Sequence, residues 1–383
     1  MGDKNMRLTR RMLLNVASSL SVFGAARQAA AERPLAFPAK ELPPNGKAAA
    51  ARRVPGKFEP HARTWMQWPA RADIWGDEGL AAVRPVLARV AQTVARFEDV
   101  IMLARPEQAV EAEQLCGPAV KVHPMAVDDL WAADSGPVFV LDQRGQMAVA
   151  DLGFNGWGNK QIHEADAGIA RRVAAVCGVR HFYTGFVADG GAIEVDGEGT
   201  LITTESTLLI ENRNPGLGRA ELENRLRAAL GIEKVIWIPG LRGEDITDAH
   251  PDAFVRWVRP GVVVAELPSE DDGLWFGAAE EAIAILKAAT DARGRRLEVV
   301  IVHGPGALRS DVKVDEFAAS YIGYHACNGG LVMPEFGDAA ADQKAFEILS
   351  RLHPGREVVQ LNVDRICEGG GSIHCVTRQQ PAA

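Results

Sequence analysis

The chain has no surplus of positive charge, no C-x-x-C pair, no histidine cluster at ligand spacing and no polar linker long enough to separate two domains. Each absence removes a class of function. Over 383 residues the formal net charge is −8, which argues against a nucleic-acid partner and fits a cationic small substrate. The five cysteines, at 116, 177, 327, 367 and 375, are odd in number and scattered. That pattern disfavours a structural zinc site, and a chain of this length builds a core without disulfide staples. The apolar run "MLLNVASSLSVFGAA" is too short for a stable membrane span, which takes about 18 or more residues.

That run belongs to an N-terminal segment with its own logic. Arg10 and Arg11 precede it, and the small residues Ala29–Ala31 follow. A basic start, a short apolar middle and an A-x-A site make a signal peptide, and "TRRMLL" is of twin-arginine type. The expectation is an exported, periplasmic protein with a signal over 1–31, an Ala/Pro/Lys-rich tether over 32–53 and one domain over 54–383. A disordered or amphipathic tail is the alternative for the first segment.

From about Pro55 onward, apolar periodicity predicts helices near 79–97, 106–115, 165–177, 218–230, 277–292 and 340–352. In the first, Leu80, Val83, Leu87, Val90, Val94 and Phe97 fall on one face. Between the helices lie β-rich runs such as "DVIMLA", "PVFVL", "GTLITT", "GVVVAEL" and "EVVQLNV". Regular alternation means an α/β architecture, and leaves a doubly wound sheet, a barrel and a propeller of modules open. Polar, glycine-bearing clusters recur near the strand ends: "AADSGP", "ADGGAIE", "TDAHPDAF", "NGGLVMP" and "GGGSIHC". Their recurrence favours repeated modules around a common axis.

Four of the clusters carry candidate chemistry. Asp134 follows Trp131 and precedes a Ser-Gly-Pro turn, where a carboxylate also serves as an acceptor for turn N–H groups. Asp189 precedes two glycines, which let backbone approach a ligand closely. His250 and Asp252 are two residues apart before an apolar run. In an extended chain they project from one face, as an acid–base unit or a substrate clamp. Cys375 has the richest polar context of the five cysteines, and by residue type alone it is either a nucleophile or a core filler. His374 beside it points the opposite way if the segment is a strand.

Together these clusters resemble the agmatine deiminase family, part of the guanidino-group-modifying superfamily that includes bacterial-type peptidyl-arginine deiminases. The resemblance runs from "TWMQWPARADIWGD" to "GGGSIHCVTRQQP" through "DDLWAADSGPVFV", "DLGFNGWGNK", "ADGGAIEVDGEGTLITTESTLLIENRNP", "TDAHPDAFVRWVRPG" and "SYIGYHACNGGLVMPEFGD". It implies a single-domain α/β propeller of ββαβ modules with five-fold pseudosymmetry, the pentein fold. It also implies hydrolysis of agmatine to N-carbamoylputrescine and ammonia through an S-alkylthiouronium intermediate, with no metal and no organic cofactor. By the same resemblance Cys375 is the nucleophile, His250 the acid–base group, and Asp134 and Asp252 the carboxylates that clamp the guanidinium. Asp189, Trp131 and Asn328 are the substrate-binding candidates.

Two positions depart from the family pattern. Ala133 stands where the family has arginine before its aspartate, and Asp189 where it has a glutamate one methylene longer. Two other readings accompany these departures: a deiminase of peptidyl-arginine or another guanidino compound, and a non-catalytic periplasmic binder of guanidino ligands. A homo-oligomer is compatible with each of them.

Overall fold

The computed structural model describes residues 52–312 and 317–382. The expected signal segment, and the tether up to residue 51, lie outside the described residues. Arg53, assigned to the tether, is already paired with Leu141 by two backbone hydrogen bonds of 2.9 Å. The folded part therefore begins at or before it.

The first strands are β1 (His61–Gln67), β2 (Val100–Ala104) and β3 (Val120–Pro124). Three further sets follow: β4 (Val138–Leu141), β5 (Met147–Asp151) and β6 (Arg180–Tyr183); β7 (Glu194–Val195), β8 (Thr200–Thr204) and β9 (Lys234–Ile238); β10 (Val255–Arg259), β11 (Val262–Leu267) and β12 (Glu298–His303). The last set is β13 (His325–Cys327), β14 (Gly330–Glu335) and β15 (Glu357–Asn362), followed by a single strand, β16 (Arg378–Pro381).

In the four internal sets the first two strands pair antiparallel and the second and third pair parallel. A helix connects each parallel pair, as a parallel crossover requires: Ile169–Cys177, Arg219–Leu230, Leu274–Ala288 and Ala339–Leu352. The fifth sheet repeats this plan with strands from both ends of the chain. β16 takes the antiparallel place against β1, and β1 runs parallel to β2 after the helix Ala72–Val94. A short helix, Ala109–Cys116, then adds β3 as a fourth strand. The five-module expectation is met, with the termini sharing one module.

Local sequence explains the elements. The run "VVVAEL" of β11 is buried over its first five residues, because a strand covered on both faces needs no polar alternation. The helix Ile169–Cys177 buries Ile169, Ala170, Val173 and Ala174 and exposes Arg171, Ala175 and Val176. Helices also join modules: Leu274–Ala288 packs on β9, Ala339–Leu352 on β12 and Ala72–Val94 on β14. Ala72–Val94 begins seven residues earlier than periodicity predicts, with Gly76 at φ 67 breaking its first turn. Strands β1, β3, β6, β7, β13 and β16 are not among the predicted runs, being short or carrying polar residues at about half their positions or more.

The module that joins the two ends of the chain is held by side chains as well as by its ladder. Trp65 is buried and its indole N–H donates to Gln380 Oε1 at 3.0 Å. Replacing Gln380 by Ala leaves that donor without a partner. The expected cost is about 1–3 kcal/mol of stability, read from urea unfolding followed by tryptophan fluorescence.

Candidate active site

The segments just before the first strand of four modules converge. Asp134 lies on the one-turn helix Ala132–Ser135 before β4, and Asp189 opens the 3-10 turn Gly190–Ala192 before β7. His250 caps the 3-10 turn Pro251–Ala253, which holds Asp252, before β10. Cys375 sits in a turn before β16. This phase explains why one polar cluster stays out. "NGGLVMP" occupies the hairpin between β13 and β14, after the first strand of its module rather than before it. Asn328, expected to bind substrate, donates from Nδ2 to the His61 carbonyl (2.8 Å) and accepts from the His61 N–H (2.9 Å). Its amide ties that hairpin to β1.

Two further expectations are corrected by the local backbone. His250 and Asp252 do not share the face of an extended strand; the 3-10 turn carries both. Nor is the chain around Cys375 a strand, so His374 does not point away. Its Nδ1 lies 2.5 Å from Asp252 Oδ2, and the thiol, a ring nitrogen of His374 and a carboxylate oxygen of Asp252 fall within 4.8 Å of one another.

Asp189 is committed in a way its sequence context did not reveal. Its Oδ2 faces His250 Nε2 at 3.0 Å and accepts from Arg213 Nε at 3.0 Å, with Nη2 of that guanidinium 2.8 Å away. It stands behind His250. Arg213 comes from "ENRNP" and also grips Asp248 at 2.8 Å, which Lys160 bonds at 2.7 Å. Asp248 and Ala249 both have φ of 64°, a left-handed conformation that costs non-glycine residues about 1–3 kcal/mol each and persists where surroundings over-determine it. Those surroundings are present: Ser206 Oγ donates to the Asp248 carbonyl (2.5 Å), Ala249 N–H to Asp245 (2.9 Å) and His250 N–H to Thr247 Oγ1 (3.1 Å). The imidazole is thereby held from its backbone and from its ring.

Asp134 accepts from the Gly191 N–H (3.0 Å) and from the indole of Trp157 (3.0 Å), and its Oδ1 is 3.8 Å from His250 Nδ1. The Ala133 N–H donates to the Cys375 carbonyl at 2.9 Å, so the two catalytic-candidate turns are stitched together. Arg378 of β16 reaches the Ala133 carbonyl and passes within 3.3 Å of where a Cβ on Gly136 would stand. A buried guanidinium therefore lies along the turn that holds Ala133. Trp131 packs over Gly371, where a Cβ would come within 2.3 Å of its ring and 3.2 Å of Cys375 Cβ.

The charges influence one another strongly. Burial, reinforced by Asp189 and Asp252, pushes the Asp134 carboxyl up to about 6 against the pull of His250. Asp252 is raised by burial despite His250, Lys57 and Arg256. Burial also works against ionised Asp189, but Arg213 and His250 outweigh it and hold that carboxyl low. Burial disfavours the His250 imidazolium, yet Asp134 and Asp189 prevail and raise it to about 9. The Cys375 thiol is driven well above the ordinary thiol range by burial and by Asp252 and Asp134. Asp134, Asp189 and His250 are buried, whereas Asp252 and Cys375 keep partial exposure on the accessible side.

Two groups of metal-ligand type occur among the described residues, His61–Glu98–His325 and Asp252–His374–Cys375. In the first, the Glu98 carboxylate accepts from Thr64, His61 and the Asn328 N–H, and forms a hydrogen-bonded knot between modules. In the second, both ring nitrogens of His374 are engaged, by Asp252 and by Lys57.

Carboxylates flanking a thiol with an imidazolium behind them can hold a planar cation and attack it, and the comparisons agree in class. Residues 53–381 match the family model described as Porphyromonas-type peptidyl-arginine deiminase, and the chain belongs to that family. The agmatine deiminase of Stutzerimonas stutzeri is 39% identical over 352 residues, covering 86% of this chain and 95% of its own. That of Medicago truncatula is 36% identical over 360 residues, covering 86% and 96%. Among solved structures, the agmatine deiminase of Enterococcus faecalis superposes with a TM-score of 0.80 at 31% identity, covering 86% of this chain and 96% of that one.

A Cβ on Gly191 would lie 2.5 Å from both Asp134 Oδ1 and His250 Nδ1. Gly191→Ala therefore displaces two site groups while leaving the core untouched. Its expected effect is a loss of about 100-fold in kcat/KM, the typical cost of a 1 Å misplacement, with an unchanged circular dichroism spectrum.

Proposed function

We propose that this chain is a hydrolase that deiminates agmatine, converting it with water to N-carbamoylputrescine and ammonia. The observation that carries the reading is the grouping of the Cys375 thiol with Asp252 and His374 within 4.8 Å, beside Asp134 and His250. The agmatine deiminases among its relatives support the substrate. The burial of Asp134, Asp189 and His250 favours a small free guanidino compound over arginine in a protein chain. A non-catalytic binder has no use for the thiol.

In this reading Asp134 and Asp252 accept charge-assisted hydrogen bonds from the guanidinium and fix its plane. The entering cation stabilises the thiolate, and the thiol proton leaves to solvent. The sulfur adds to the guanidinium carbon, and His250, as imidazolium, gives its proton to the departing nitrogen, which leaves as ammonia. Neutral His250 then takes a proton from water, whose oxygen adds to the thiouronium carbon. Collapse of that adduct breaks the C–S bond, and the hydroxyl proton passes to the departing sulfur, leaving the ureido product and the Cys375 thiol. Asp189 orients His250 rather than gripping substrate, and Trp131 walls the site beside Cys375. For the N-terminal 31 residues the twin-arginine reading stands as a proposal of export, tested by N-terminal sequencing of the protein from a periplasmic fraction.

Wild-type protein is expected to release ammonia from agmatine and far less from C-terminal-arginine peptides, and Cys375→Ala to release none while still binding agmatine by calorimetry. A wild type that hydrolyses no guanidino compound contradicts the proposal. Asp134 must be ionised, so activity is present above its pKa; His250 must be protonated, so activity is present below its own. With these at about 6 and about 9, kcat/KM against pH should be bell-shaped with limbs near those values.

A further inference from the structure

Asp252 is oriented from behind by a chain of buried groups drawn from several parts of the fold. His374 Nδ1 lies 2.5 Å from its Oδ2. The opposite ring nitrogen, Nε2, is 2.8 Å from Lys57 Nζ. Lys57 in turn donates to Glu194 Oε2 at 2.7 Å. The other oxygen of Glu194 accepts from the Trp257 N–H (3.0 Å) and from Arg256 Nε (3.2 Å). Lys57 belongs to the segment before β1, Glu194 to β7, Arg256 and Trp257 to β10, and His374 to the turn before β16. Lys57, Glu194, Arg256 and His374 are all buried.

The direction of each hydrogen bond follows from donor chemistry. An ammonium has three donors and no acceptor, so the imidazole nitrogen facing it must offer a lone pair. His374 is then neutral, with its proton on Nδ1, and that proton points at Asp252. We propose that Lys57 is a positioning residue: its ammonium fixes the Nδ1–H tautomer of His374, which anchors Asp252 through Oδ2 and leaves Oδ1 for the guanidinium. This rests on the agmatine-deiminase reading above for the role of Asp252, but the tautomer does not depend on any substrate. Burial, with the nearby cations Arg256 and Lys57, holds His374 well below the ordinary histidine range, in keeping with a neutral ring. Burial draws the Lys57 ammonium downward as well, against the attraction of Glu194. An uncharged amine there would release the constraint on His374.

A neutral histidine free of such a neighbour chooses its tautomer by whichever acceptor is better placed. Lys57→Met therefore removes the rule while leaving Glu194 its bonds to Arg256 and Trp257. Lys57→Arg keeps a donor-only cation on His374 and is the conservative rescue.

The test is heteronuclear NMR of histidine-labelled wild type, Lys57→Met and Lys57→Arg, with His374 assigned by loss of its signals in His374→Gln, together with kcat and KM for agmatine. The expected wild-type signature is a neutral ring protonated on Nδ1. In Lys57→Met that population is lost and KM rises by about 100-fold, in line with a misplaced clamp, with kcat changed less; Lys57→Arg restores both. An Nε2–H or doubly protonated His374 in the wild type overturns the proposal even if Lys57→Met does not fold. So does a folded Lys57→Met with unchanged tautomer or unchanged KM. A wild type that turns over no guanidino compound removes the functional reading, and the wild-type tautomer still decides whether Lys57 sets His374.

Discussion

Three carboxylates and a thiol share one desolvated space, and the placement of the balancing cations determines what that space can do. Arg213 stands behind Asp189, and Lys57 is linked to Asp252 by hydrogen bonds through His374. Asp134 is satisfied by neutral donors, the Gly191 N–H and the Trp157 indole. The compensation comes from the rear, so the face open to substrate stays anionic. Charge of one sign in a low-dielectric site attracts a cation and suppresses further ionisation of its own sign. The same field that draws a guanidinium in keeps Cys375 protonated until one arrives.

The fold delivers these groups by repetition. Four modules each place a short turn before their first strand, and each turn contributes to the site. Because β16 is the first strand of the module shared by both termini, Cys375 sits in phase with Asp134, Asp189 and His250 although it comes from the opposite end of the chain. The left-handed pair Asp248–Ala249 shows that this delivery carries strain. Ion pairs to Arg213 and Lys160 and three local hydrogen bonds offset it.

Much of this was legible in the sequence because it depends on local pattern. Six helices and most central strands follow from apolar periodicity, and Asp134, Asp189, His250, Asp252 and Cys375 stood out by their polar, glycine-bearing contexts. What stayed hidden depends on distance along the chain. Arg213, Lys57, Glu194 and Arg378 act on groups tens to hundreds of residues away, and an isolated Lys or Arg carries no sign of its partner. Asp189 is an instance: only the fold shows Arg213 and His250 occupying its Oδ2. His374 was misread through one wrong local assumption, a strand where the chain turns. For Asn328 only the fold shows the phase, since a glycine-rich cluster looks the same before a first strand as in a hairpin.

The central claim is that the free protein holds Cys375 as a thiol and that the cationic substrate makes the thiolate. Its most direct measurement is the pH dependence of iodoacetamide alkylation of Cys375, followed by mass spectrometry of the modified peptide, with no substrate present. The account predicts a rate still rising above about pH 9, beyond the range of an ordinary thiol near 8.5. A plateau reached by about pH 7 would mean a thiolate already formed in the empty site, and would contradict it.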